Sequence, residues 1–185
     1  MIHVSVKLIA VKNVSWHIIK LSRLVTRRLF AICLIRERQG SAVLSDLLIE
    51  DLVQLNVEAS NWEDAIRKSA QPLVDNKKVT EGYVDDIIKG VNELGPYIVI
   101  TEHVALPHAR PESGALEPAV GIVVLKNPVE FGSKDNDPVK FLFPLAAKDS
   151  DGHLSALQSL VELLSDPDFF AQLEKAQSPK DVVDL

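Results

Sequence analysis

The chain has one cysteine, Cys33. No internal disulfide can form, and one cysteine gives no ground to expect a cysteine-based metal site. This usage suits a reducing cytosol. Long apolar runs are also missing. The stretch WHIIKLSRLVTRRLFAICLI is interrupted by Lys20, Arg23, Arg27 and Arg28, and falls short of the ~20 apolar residues that span a bilayer. It lacks the clean apolar core and small-residue cleavage site of a signal peptide. The sequence contains no GxxxxGK[ST], no GxGxxG, no GxSxG and no HExxH. P-loop, dinucleotide, serine-elbow and zincin chemistry thus have no motif to stand on. No repeat and no low-complexity tract is present.

What is present is unevenly charged. Residues 1–42 carry eight Lys and Arg against a single acid, Glu37, a balance of +7, whereas the remaining residues balance at −13. The basic leader, residues 1–43, is therefore a different kind of sequence from residues 44–185. Three readings of it stay open: an amphipathic surface helix touching anionic lipid, a basic arm for nucleic acid, or a disordered arm or start-site artefact ahead of a protein that begins near Val43 or Leu44. Met1 is the only methionine, so an internal start would need another codon.

From Leu44 the pattern is regular. LSDLLIEDLV (44–53) has helical spacing, and VQLNVEA (53–59) alternates as a half-buried strand does. Ser60 with Glu63 three residues on predicts a capping box, followed by a helix that Pro72 kinks or breaks. TEGYVDDIIKGVNELG places Tyr83, Val84, Ile87, Ile88, Val91 and Leu94 on one stripe. Gly95 and Pro96 end it. The middle then reads as strands: 97–100, 103–108, 119–126, 129–131 and 139–147. The 119–126 segment is apolar enough to be buried on both faces, and Pro144 marks an edge or a strand end. HLSALQSLVELLSD is helical, with Leu154, Leu157, Leu160, Val161 and Leu164 as its stripe. Asp166–Pro167 and Ser178–Pro179 each open a further helix. Helices before and after a central set of strands predict an α/β layered domain.

Two histidines stand out within this frame. Pro107 and Pro111 stiffen the chain around His108, which holds the ring at a strand end. Ala109 leaves room beside it, and Arg110 offers planar donors to phosphate or carboxylate. His153 follows a strand and opens a helix, where backbone amides favour an anion. If the two strand ends are neighbours, His108 and His153 can face one anion together. From the residues alone, both read first as loop or capping residues, and His103 as an outward-facing strand residue with a structural role.

GPYIVITEHVALPHARPESGA resembles the active-site segment of sugar phosphotransferase system (PTS) enzyme IIA domains of the fructose–mannitol superfamily. KNPVEFGSKDNDPVKFLFPLAAKDSDGHLSALQSLVELLSD is similar to the rest of that signature. The match runs from about Leu44 to Leu185. Gly-Pro-Tyr before the strand, Pro-His-x-Arg-Pro-Glu around His108, and Asn-Asp-Pro-Val resemble the ascorbate-specific branch most closely. The resemblance implies a single domain, a central mixed β-sheet flanked by helices. It also implies a cytoplasmic phosphohistidine relay. HPr would deliver a phosphoryl group to His108, and a cysteine of enzyme IIB would take it for sugar uptake through the membrane component IIC. His153 would support the phosphoryl group. Mannitol- and fructose-branch members carry an arginine near the end of the preceding helix. IIKGVNELG has none, which leaves Arg110 as the candidate for charge compensation. No cofactor, metal or nucleic acid is implied. The same fold serves regulatory nitrogen-type enzyme IIA proteins and regulatory modules of transcriptional activators, which is the alternative function.

Neutral imidazole is a competent nucleophile near pH 7, an unperturbed histidine titrating at about 6.5. In-line attack on phosphorus asks the protein for little beyond position and charge. His153, Arg110 and helix-start amides would share that charge. The expected setting is a shallow apolar depression, with Val104, Leu106 and Leu154 on its rim.

Overall fold

The computed structural model describes residues 47–185. The leader, residues 1–43, and the start of the helix expected over 44–53 lie outside them. Leu47 is helical, and the chain then forms a 3-10 turn at Glu50–Leu52 and enters a strand at Val53, so the helix does not extend through 53. The strands are β1 (Val53–Val57), β2 (Val99–Thr101), β3 (Val104–Ala105), β4 (Ala119–Val120), β5 (Ile122–Val129), β6 (Val139–Leu142) and β7 (Leu145–Ala146). The helices are α1 (Trp62–Asp75), α2 (Glu81–Leu94), α3 (Ser150–Leu164), α4 (Pro167–Leu173) and α5 (Pro179–Val183).

Five strands form a mixed sheet in the order β1-β5-β6-β3-β2. β1 runs parallel to β5, and β3 parallel to β6. The β5–β6 and β2–β3 pairs are antiparallel. β4 and β7 make a separate antiparallel pair. Alternate residues of β5 feed different cores. Val123 and Leu125 pack with α1 and α2, around Ile66, Leu73, Tyr83 and Ile87. Ile122 and Val124 pack with α3, α4 and α5, around Leu160, Phe169, Leu173 and Val182. This is the two-faced burial that the apolar run predicted, and it makes the sheet the middle layer of three.

Several local expectations shift. The 119–126 run is not one strand. Gly121 breaks it, so that β4 belongs to the small pair and β5 to the main sheet. A Cβ at Gly121 would stand 2.9 Å from Pro144 Cγ and 3.0 Å from the Leu52 carbonyl oxygen, and only glycine fits that crossing. β5 runs on to Val129, absorbing the start of the separate strand expected at 129–131. Pro144 does end a strand, between β6 and β7.

The α1 cap is displaced by one residue from the Ser60–Glu63 box. Asn61 is the N-cap, accepting from Asp64 N–H at 2.8 Å, and the Asp64 carboxylate reaches back to Ser60 N–H at 2.9 Å. Pro72 neither ends nor breaks α1, which continues to Asp75. α2 ends as expected at Gly95, whose φ of 83° and ψ of −171° lie in a region essentially reserved for glycine. On α3 the buried face is Ala156, Ser159 and Leu160, while Leu154 and Val161 of the expected stripe are exposed. No described helix is long and apolar enough to cross a membrane.

Candidate phosphoryl-transfer site

β3 is short, but the chain beyond it stays extended. Leu106 N–H donates to Ile98 at 2.8 Å, and the Pro107 carbonyl accepts from Leu145 N–H at 3.0 Å. His108 therefore leaves the end of an inner strand directly after a residue bonded to the start of β7. Three residues past β7, Asp149 caps α3, accepting from Gly152 N–H at 2.7 Å. His153 lies in the first turn of that helix. The structure brings the two histidines together, with ring centroids 5.2 Å apart and planes inclined at 43°.

The His108 ring is oriented by a bond of 2.7 Å between its Nδ1 and the Leu106 carbonyl oxygen. A carbonyl only accepts, so Nδ1 carries the proton and Nε2 keeps its lone pair. Burial, and then the nearby His108, hold the His153 pKa below the ordinary histidine value. That keeps the second ring neutral at neutral pH.

Both rings line an open depression of about 320 Å³ with Arg110, Ala109 and Pro111. Arg110 is exposed and precedes the 3-10 turn Pro111–Ser113. Among the described residues it forms no ion pair, and its guanidinium can reach for an anion at the mouth. The helix-start amides contribute less than the sequence suggested. Gly152 N–H is taken by Asp149 Oδ1 and His153 N–H by the Asp149 carbonyl.

The rim also differs from expectation. Val104 and Leu106 are each 1 % exposed and pack in the core beneath α3, α4 and α5. Sequence proximity to His108 misplaced them, because the helices α3, α4 and α5 cover that face of the sheet as far as Leu106 and the depression begins only beyond it. Leu154 is exposed but does not line the depression. The apolar wall is instead Leu94 and Tyr97. Leu94 was assigned to the buried stripe of α2. It sits on the last residue of the helix, past the core, and is 75 % exposed.

Tyr97 stands edge-on to His108, with centroids 5.7 Å apart and an interplanar angle of 85°. Its hydroxyl donates to the His108 carbonyl at 3.3 Å. Burial raises the Tyr97 pKa, so the hydroxyl remains a donor. Gly90 makes room for it, since a Cβ there would lie 3.0 Å from that oxygen. The only sequence signal for Tyr97 is its place directly after the Gly-Pro that ends α2. His103 is not an outward strand residue. It occupies the turn between β2 and β3 with φ of 65°, its Nδ1 donating to the Pro138 carbonyl at 2.7 Å. It does not line the depression. Among the described residues no three His, Cys, Asp or Glu side chains converge on a metal position.

A family model described as "Phosphoenolpyruvate-dependent sugar phosphotransferase system, EIIA 2" matches residues 46–185. The chain is 37% identical over 142 residues to the mannitol-specific cryptic phosphotransferase enzyme IIA component of Escherichia coli (strain K12), covering 77% of this chain and 96% of that protein. It is 36% identical over 144 residues to the ascorbate-specific PTS system EIIA component of the same strain, covering 77% and 94%. The crystal structure of a putative PTS IIA domain from Streptococcus pyogenes M1 GAS superposes with a TM-score of 0.69 at 35% identity, over 76% of this chain and 93% of that one. Mannitol-named and ascorbate-named relatives thus stand at nearly equal identity. The chain belongs to the EIIA 2 family of the phosphoenolpyruvate-dependent sugar phosphotransferase system and is a phosphotransferase component of it.

Proposed function

We propose that this protein is a phosphohistidine carrier that takes a phosphoryl group from phospho-HPr on His108 Nε2 and passes it to a cysteine of enzyme IIB, in the cytoplasm, for sugar uptake through IIC. The observation that carries this reading is the pairing of a tautomer-fixed His108 with a neutral His153 in an open depression. In the accepting step the His108 Nε2 lone pair attacks phosphorus while the bond from phosphorus to the donor imidazole breaks. The proton stays on Nδ1, donated to the Leu106 carbonyl throughout, so no proton has to move to complete the transfer. His153 and Arg110 face the oxygens of the arriving group, and Tyr97 and Leu94 offer an apolar wall to a docking partner.

The openness of the site suits a relay. A carrier that bound its phosphoryl group too tightly could not hand it on. Ascorbate is our proposed sugar on the strength of the Gly-Pro-Tyr and Pro-His-x-Arg-Pro-Glu segments, and enzyme IIB and IIC would select it. The match of residues 46–185 supports dividing the chain into a leader, residues 1–43, and an enzyme IIA domain, residues 44–185.

The test is phosphoryl transfer from phosphoenolpyruvate through enzyme I and HPr, read by intact mass. A single acid-labile adduct, lost in a folded His108→Ala variant, is the expected result. Labelling that persists in the variant would refute His108. No adduct on the unaltered protein would turn the reading to a regulatory module of the same fold.

A further inference from the structure

Tyr83 is 1 % exposed and belongs to the core between α2 and the sheet. Its ring packs as a phenylalanine would, but its hydroxyl has three partners. It lies 2.9 Å from the Leu145 carbonyl, 3.1 Å from Ala109 N and 3.1 Å from the Ala109 carbonyl. A hydroxyl has one proton to give. The shorter contact, to Leu145, takes it, and Ala109 N–H donates to the hydroxyl oxygen.

Leu145 is also tied directly to the chain before His108, through its N–H to the Pro107 carbonyl at 3.0 Å. The residues on both sides of His108 are thus fastened to one residue of β7, and one of the two fastenings passes through the Tyr83 oxygen. β7 in turn leads to the Asp149 cap and His153. A buried hydroxyl is kept in a core when its bonds are made, and its loss leaves partners unsatisfied.

We propose that Tyr83 is a positioning residue for phosphoryl transfer: its hydroxyl locks the backbone at Ala109 to Leu145 and so holds the His108 ring on the Leu106 carbonyl and at its set distance from His153. This rests on the relay reading for its kinetic consequence, but the geometric claim stands apart from it. Tyr83 lies behind the main chain of the site and touches neither the phosphoryl group nor a partner. Its effect belongs in the chemical step rather than in docking.

The experiment compares the full chain with Tyr83→Phe, using phospho-HPr as donor and two-bond proton–nitrogen correlation spectra of the histidine rings. The expected result is a fall in kcat of roughly ten- to a hundredfold, the scale of a small misplacement of reacting groups, with KM for phospho-HPr unchanged. The His108 spectrum should change from a single Nδ1-protonated tautomer to a mixture. A variant that melts at lower temperature but keeps the parent kcat and tautomer would overturn the proposal, since a purely structural hydroxyl predicts that pattern. Should Tyr83→Phe fail to fold, amide exchange in the unaltered protein decides. Ala109 N–H should be protected as well as Leu145 N–H, and exchange at the rate of an open loop would overturn the proposal. If the unaltered protein accepts no phosphoryl group, the relay reading fails, while the tautomer and exchange measurements still judge Tyr83.

Discussion

The Leu106 carbonyl oxygen lies 2.7 Å from His108 Nδ1, two residues ahead of it in the chain. In the proposed relay this one bond leaves Nε2 as the nitrogen that would react. The phosphorylated protein should carry its adduct on Nε2 alone, visible in the nitrogen chemical shifts of labelled His108. An Nδ1 adduct would require the ring to leave the Leu106 carbonyl and would refute the orientation described above.

His153 should make stability depend on pH. Its folded pKa lies below the unfolded value, chiefly through burial and then through His108. The unfolded chain therefore binds a proton there more readily than the folded one. The contribution is complete above the ordinary histidine pKa of about 6.5 and is lost as pH falls through that value toward the depressed folded one. Replacing His153 by Gln should flatten the slope of melting temperature against pH in this window. Anionic phosphoryl on His108 should also move the His153 titration upward. An NMR titration of His153 that is identical with and without the adduct would remove it from the site.

Arg110 is exposed and lines the depression from one side. An exposed charge-assisted bond contributes about 0.5–1.5 kcal/mol, and each ~1.4 kcal/mol is tenfold in rate. Arg110→Gln should therefore slow phosphoryl acceptance by roughly two- to tenfold without changing the melting temperature. Arg110→Lys should recover part of the loss. A Gln variant as fast as the parent would leave charge compensation to His153 and the solvent.

Gly121 is a packing constraint and not a flexible joint. Gly121→Ala would press a methyl group against the Leu52 carbonyl and Pro144, at 3.0 and 2.9 Å. Such overpacking costs about 1–3 kcal/mol, to be read in a denaturant midpoint. A neutral substitution would mean that the crossing between the two sheets is looser than described.

The long-period features of this fold were legible in the sequence. The stripes of α1 and α2, the two-faced strand β5 and the helix that carries His153 all follow from apolar spacing. What was not legible is what depends on neighbours distant in sequence. Gly121 reads as one more small residue in an apolar run until Leu52 and Pro144 are seen against it. Asn61 and Ser60 are both good caps, and which one serves depends on where α1 begins to pack on the sheet. Val104 and Leu106 closely precede His108 in sequence, yet the α3–α5 face claims them. Leu94 carries no local mark of function and Tyr97 only its place in the Gly-Pro-Tyr segment, because what makes them a wall is that the end of α2 comes beside His108. The pairing of His108 with His153 was readable only as a condition, that two strand ends be neighbours, and the Leu145–Pro107 bond meets it.

The depression around His108 is open to solvent as well as to proteins. Water reaches a phosphoryl group there by the same route as a partner's cysteine or imidazole. In the proposed relay the charged form would therefore be a perishable store, shielded from water only while a partner covers it. In a cell with idle uptake machinery, the pool of charged carrier would drain by hydrolysis, and its level at any moment would record how recently the donor chain was supplied.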